Sequence, residues 1–353
     1  MVERPDLSRV EPSVRAYIEF LEAELDRFNS RPKAALRVLD PGEDEATQAL
    51  LKEQLPSEPP TTINIITMTA GFVAKRTPRH LYFRQRRGGM GIFDLDSPEE
   101  DSPAIIAAAD ESQSLLLFTN QGRAFRLPVG QVTLGDVRSR GQPLAQKLTL
   151  LTDERLVAVL PDYPKGAVAL VSQRGMVRNL RHHIFGEYMK PGIALMDVRQ
   201  FGPLVAACRT PGDGDIFIAT RLGKAIRFSE KIIPPQGGPG IRLEQGDYPV
   251  AVTAVDDDSA VFLVDALGNG TIRLMSGFAP NKAAGGGGKN AMKTDELVSA
   301  LKVEQDDEIF LLSRLSKIIR FASLEVPIKE GVVQGVHCMA LRGDQLVAGL
   351  ATR

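Results

Sequence analysis

The chain has no tryptophan, only two cysteines, and aromatic side chains at just 6% of its 353 positions. Cys208 and Cys338 each sit inside an apolar segment. Buried, reduced thiols are therefore expected, with neither a disulfide nor a cysteine-based metal site. Apolar runs are short and strand-like, well below the roughly 20 residues of a membrane-spanning helix, so no membrane partner is expected. The opening stretch MVERPDLSRVEPS mixes charges of both signs and has no apolar core. That excludes a secretory signal and points to the cytoplasm. An excess of one charge is missing as well: 43 Lys/Arg stand against 44 Asp/Glu, a net of −1. A uniformly basic body is thereby excluded, and any nucleic-acid surface has to be a localised stripe.

The acid is concentrated at the front. Residues 1–62 carry 8 Lys/Arg and 13 Asp/Glu, which leaves 35 basic and 31 acidic side chains in the remainder. Within this front segment Val14, Ile18, Leu21, Leu25 and Phe28 alternate at spacings of four and three, with Pro12 placed for a first helical turn. This pattern predicts an amphipathic helix that docks on the chain's own body or forms a homodimer. Residues 40–62, rich in Pro, Glu and Asp, are expected to be a solvated linker with a short helix around Glu45–Gln54. Residues 1–62 are thus read as an acidic helix and linker, and residues 63–353 as a separate domain.

After Thr62 the helical period gives way to a repeat. Each unit opens on an apolar strand, turns at a polar residue and a glycine, and returns on a strand that usually carries a base, as in LLLFTNQGRAFRL, IFIATRLGKAIRF and IFLLSRLSKIIRF. The turn positions Gly71, Gly122, Gly175, Gly223, Gly268 and Ser316 are 51, 53, 48, 45 and 48 residues apart. A period near 48 with about four strands per unit predicts an all-β, six-bladed propeller. The bases Arg126, Arg227 and Arg320 follow their turn residue by four, and Lys75 keeps the same offset from Gly71.

Every unit has a second, glycine-bearing loop, and the first is the most basic. Lys75–Gly91 holds Lys75, Arg76, Arg79, Arg84, Arg86 and Arg87 and no acid, ending in Arg84-Gln85-Arg86-Arg87-Gly88-Gly89-Met90-Gly91. Guanidinium donors beside glycines free of Cβ suit a phosphate guest. Equivalent loops lie at equivalent places around a ring, so their bases form a track rather than a pocket. Other features read as structural. Asp256-Asp257-Asp258 is expected to be an acidic turn between blades, and His182-His183 part of the third blade's surface. Gly285–Gly288 precede Lys289 without the Ser/Thr of a phosphate-binding loop. No cofactor, metal or catalytic residue is expected.

Residues 63–353 resemble the C-terminal domain of bacterial DNA gyrase A and of its topoisomerase IV counterpart. Gly71-Phe-Val-Ala-Lys-Arg-Thr-Pro78, Phe118-Thr-Asn-Gln-Gly-Arg123 and above all the first loop carry the resemblance. Gln85, Arg86, Arg87, Gly88, Gly89 and Gly91 match the seven-residue gyrase A box Gln-Arg-Arg-Gly-Gly-Lys-Gly, with Met90 in the place of its basic residue. The resemblance implies a six-bladed β-pinwheel that bends double-stranded DNA around its rim, the box loop linking first and last blades. It also implies a cleavage module elsewhere, whose tyrosine follows an arginine. None of Tyr17, Tyr82, Tyr163, Tyr188 and Tyr248 does so. The expectation is therefore a non-enzymatic, nucleoid-associated DNA-wrapping protein that serves gyrase or topoisomerase subunits. The alternatives are a protein-interaction propeller and the non-catalytic part of a split type IIA topoisomerase. DNA-binding candidates in the first loop are Arg84, Gln85, Arg86, Arg87, Gly88, Gly89 and Gly91. Around the rim they are Lys75, Arg76, Arg123, Arg126, Arg138, Arg140, Arg178, Arg181, Lys190, Lys224, Arg227, Lys289 and Arg320. An autoinhibitory role for the acidic front segment is a further expectation.

Overall fold

The computed structural model describes residues 58–98 and 100–353; the helix expected over Val14–Phe28 lies outside them. Regular structure in the described residues is almost entirely β, arranged as six four-stranded sheets and one two-stranded parallel pair. The two middle strands of each sheet are the repeat's hairpin. They are Ile63–Thr69 with Val73–Pro78 in blade 1, Ser114–Thr119 with Arg123–Pro128 in blade 2, and Ala167–Ser172 with Met176–Arg181 in blade 3. Blades 4, 5 and 6 use Asp215–Thr220 with Lys224–Ser229, Ala260–Asp265 with Asn269–Leu274, and Glu308–Ser313 with Lys317–Ala322.

The inner strands are Pro103–Asp110, Leu156–Pro161, Leu204–Thr210, Pro249–Val255, Leu297–Val303 and Leu346–Thr352 for blades 1 to 6. They neighbour one another in that order and return from the sixth to the first, so the ring is closed. Each two-residue outer strand comes from the next repeat: Gln142–Pro143 on blade 1, Ile193–Ala194 on blade 2, Gly238–Pro239 on blade 3, Lys289–Asn290 on blade 4 and Val336–His337 on blade 5. Blade 6 receives Ile92–Phe93 from the first repeat, with Ile92 opposite Ile318 and Phe93 opposite Lys317. Neighbouring blades are thus stitched edge to edge by exchanged strands.

Unbroken apolar runs such as Leu115–Phe118 and Ile309–Leu312 are buried along their whole length because a neighbouring blade covers each face of the sheet. The core is accordingly divided into six clusters, one per blade interface. Ile65, Tyr82, Ile106, Phe310, Leu312 and Ile318 form the cluster that joins blade 6 to blade 1. The hairpin turns place Gly122, Gly175, Gly223 and Gly268 at positive φ, between 67° and 79°, and Ser316 at 63°. In the first unit that position is taken by Phe72, at φ 69°, and not by Gly71. Gly71 stands one residue earlier, where its N–H donates to the Asp101 carboxylate at 2.9 Å and a Cβ would crowd that carboxylate.

Candidate nucleic-acid interface

The loop Arg84–Gly91 leaves the short 3-10 turn Arg79–Leu81 and enters the outer strand of blade 6. Its backbone is fastened to both last blades. The Gln85 N–H donates to the Arg320 carbonyl at 2.7 Å, the Gly88 N–H to the Cys338 carbonyl at 2.7 Å, and the Gly89 carbonyl accepts from Ala340 at 2.9 Å. Gly91 sits at φ 69°, and a Cβ there would meet the Ile318 carbonyl at 2.7 Å. The glycines therefore let the loop lie down on the ring. Arg84 pairs with Glu308. Arg87 donates from Nε to the Glu325 carbonyl and from Nη1 to the His337 carbonyl, at 2.8 and 2.9 Å. Arg86 is exposed and forms no ion pair with the described residues. One of the three arginines is presented outward, and two hold the loop.

Just past the loop lies Asp94, fully buried. It accepts from the Lys75 ammonium at 2.8 Å, the Tyr82 hydroxyl at 2.7 Å and the Thr67 hydroxyl at 2.7 Å, while its own N–H donates to the Ser316 carbonyl at 2.7 Å. Burial pulls the Lys75 pKa down, and the Asp94 carboxylate only partly offsets it. Burial, followed by the same carboxylate, holds the Tyr82 phenol well above its ordinary value. This cluster closes the ring between the first repeat and blade 6.

The hairpin bases require a correction. Because Phe72 occupies the turn position, the residue four beyond it is Arg76, and Lys75 is one place short. Arg76 Nε donates to the Val132 carbonyl at 3.0 Å. Arg227 Nη1 reaches the Phe278 carbonyl at 3.3 Å, and Arg320 Nη1 the Tyr82 carbonyl at 3.0 Å. Val132, Phe278 and Tyr82 each close the 3-10 turn of the following blade. Arg227 also pairs with Asp215 and Asp257, and Arg320 with Glu308 and Glu58. The repeated base is a latch between neighbouring blades. Lys75, Arg76, Arg227 and Arg320 are buried, and their charge is already matched by carboxylates or carbonyls. They are not rim residues, because freeing one for a phosphate leaves an uncompensated charge or carbonyl inside the protein.

The other candidates divide by partner. Arg123 pairs with the buried Glu154, Arg126 with Asp162, and Lys224 with Glu244. Arg178 is half-buried and its guanidinium donates to the Leu195 carbonyl. Arg138, Arg140, Arg181, Lys190 and Lys289 are exposed without an ion pair to the described residues, although Lys289 lies 5.6 Å from the Phe278 ring centroid. Exposed Arg242 and Lys329 are additions to the sequence-based set, and they fill the gaps in the fourth and sixth repeats. Each repeat's outer-strand loop then presents at least one such base: Arg86, Arg140, Lys190, Arg242, Lys289 and Lys329. Proximity to the second glycine loop is the signal that marks them, since Arg242 follows Gly240 by two residues.

A family model described as the DNA gyrase C-terminal domain, beta-propeller, matches residues 113–161 and 214–256. A solved structure of the DNA gyrase A C-terminal domain superposes with a TM-score of 0.72 at 20% identity, covering 82% of this chain and all of that one. The chain resembles the gyrase A C-terminal domain. A topoisomerase IV C-terminal domain shares the fold at a TM-score of 0.59 and 18% identity, over 82% of this chain and 93% of that one. The DNA gyrase A protein of Chlamydia muridarum is 27% identical over 343 residues, or 92% of this chain. That of Chlamydia trachomatis is 29% identical over 302 residues, or 80% of this chain. The chain spans only 40% and 36% of the length of these two relatives. In this gyrase A-like ring Met90, at the box's basic position, is 47% exposed. Burial pushes the Cys338 thiol up to about 12, and the Cys208 thiol higher still, so neither is a nucleophile at neutral pH. Among the described residues no cluster of three His, Cys, Asp or Glu could hold a metal, and no helix is long and apolar enough to cross a membrane.

Proposed function

We propose that the ring binds double-stranded DNA along its outer edge without reading sequence, and bends it. The observation that carries this reading is the exposed base, free of an ion pair with the described residues, on each of six successive outer-strand loops. Spaced around a closed ring, these bases offer phosphates a curved track. Duplex stiffness is then offset contact by contact, with no recognition helix to read bases. The resemblance to gyrase A supports work in a bacterial cytoplasm, at the chromosome, with gyrase or topoisomerase subunits; the ring itself has a non-catalytic part in that work. Self-association through Val14–Phe28 is a separate part of the proposal, read by the mass of the full chain against Leu21→Asp.

The test is a titration of a labelled duplex at increasing salt. Six phosphate contacts give a slope of log affinity against log salt of roughly −5. Arg140→Ala and Lys289→Ala should each lower that slope by about 0.9, whatever the sequence of the duplex. Slopes unchanged in both variants, or no binding at low salt, would remove the outer edge as the DNA surface.

A further inference from the structure

One face of the ring has the opposite charge. The loops that lead from each inner strand to the next blade, residues 111–113, 162–166, 211–214, 256–259 and 304–307, all emerge there. They hold nine acidic side chains and one lysine. Some of these acids are spent on the ring: Glu111, Asp162 and Asp257 pair with Arg76, Arg126 and Arg227. Toward blades 5 and 6 the balance changes. Asp256 is met by Lys302 at 3.2 Å and Glu304 by Arg353 at 3.6 Å, with the four side chains 40 to 73% exposed. Exposed pairs of this kind contribute little and give way readily to a better partner.

Beside them runs a groove of about 890 Å³ between the third strand of blade 5 and the segment after the third strand of blade 6. Leu274, Leu324 and Ile328 line it at 38, 66 and 54% exposure. Asp256, Asp258 and Glu304 stand along its edge. Exposed leucines and isoleucines gathered in one cleft are unusual on a soluble surface and mark a contact. The volume is that of a site which encloses a few side chains.

We infer that this groove binds a short protein segment in which apolar side chains alternate with lysine or arginine. Apolar side chains would cover Leu274, Leu324 and Ile328, while the cations would displace Lys302 and Arg353 from Asp256 and Glu304. Nucleic acid is excluded by the acidic edge. A neutral or acidic apolar segment would bury the Asp258 carboxylate without a cation, at a cost that the apolar contact does not offset. Partner docking and the outer DNA track adjoin only where Lys329 follows Ile328, and the other five bases of the track lie on other loops.

The experiment uses the full chain and a labelled twelve-residue Leu/Lys peptide, with Leu/Glu and all-Lys peptides of equal length as controls. The Leu/Lys peptide should bind, and weaken at least tenfold in Ile328→Asp and in Glu304→Lys. Both sites are exposed, and an unchanged melting temperature verifies the fold. Equal binding of the all-Lys peptide, or undiminished binding to Ile328→Asp, overturns the inference. So does a dimer of the chain that Ile328→Asp converts to monomer, because the groove is then occupied by a second copy.

Discussion

At the scale of single residues, a cation on a strand of this protein has one of two fates, and burial decides between them. Arg227 and Arg320 are each 2% exposed and satisfy carbonyls that close the next blade's 3-10 turn. Removing Arg227 leaves the Met275 and Phe278 carbonyls and the part-buried Asp215 carboxylate without that donor, while Asp257 is exposed to solvent. Arg227→Ala should cost about 1–3 kcal/mol of stability for each carbonyl left without a donor, read by denaturant unfolding, and leave the salt slope of any remaining DNA binding unchanged. Met90 tests the other fate. Because it is exposed at the box's basic position, Met90→Lys should steepen the salt slope by about 0.9 with no change in melting temperature. Glu58 supplies a pH signature. Burial raises its carboxyl pKa, but hydrogen bonds from Arg79 and Arg320 more than reverse this and hold it below the ordinary 4.5. A depressed carboxyl contributes stability that is present above its unfolded value and is lost as pH falls through the folded one. The melting temperature should therefore fall below about pH 4.5 more steeply in the wild type than in Glu58→Gln.

At the scale of elements, the exchanged outer strands hold the ring together, and Gly91, which leads into one of them, is tested against Gly212 in a loop between blades 3 and 4. Gly91 has φ 69° and its Cβ position abuts the Ile318 carbonyl; Gly212 has φ 97° with nothing within 4 Å. Gly212→Ala should cost only backbone strain, on the order of 1–2 kcal/mol. Gly91→Ala adds a clash that pries the closing strand from blade 6, and should cost about 1–3 kcal/mol more. The strands themselves are legible in the sequence: an apolar run buried on both faces has no polar alternation, and the polar turn residue recurs in each unit. The turn of the first unit reads one residue early, because sequence shows a glycine and not which residue has the positive φ. That slip moves the repeated base from Arg76 to Lys75. Strand exchange is not legible, because a two-residue strand has no period to detect.

At the scale of the whole molecule, the near-zero net charge conceals a division of surfaces that only the ring reveals. Bases at one offset along a strand look alike in sequence, whether they face a neighbouring blade or the solvent. Arg227 and Arg320 drop out of the rim for that reason, while Arg140, Lys190 and Lys289 are recognisable by their loops. Under the proposed function, with acid gathered on one face and bases free of ion pairs with the described residues at the outer edge, a duplex would follow the circumference. Binding along a curved path should trap writhe, whereas binding to an isolated patch should not. A relaxed circle closed by a nicking-closing enzyme in the presence of the protein distinguishes the two. The expected outcome is a displaced linking-number distribution that narrows back as salt rises and is lost in an Arg140→Ala, Lys190→Ala, Lys289→Ala triple variant. That variant changes only exposed side chains and should unfold at the wild-type temperature. Tight duplex binding with an unshifted linking number would mean that the edge holds DNA without bending it.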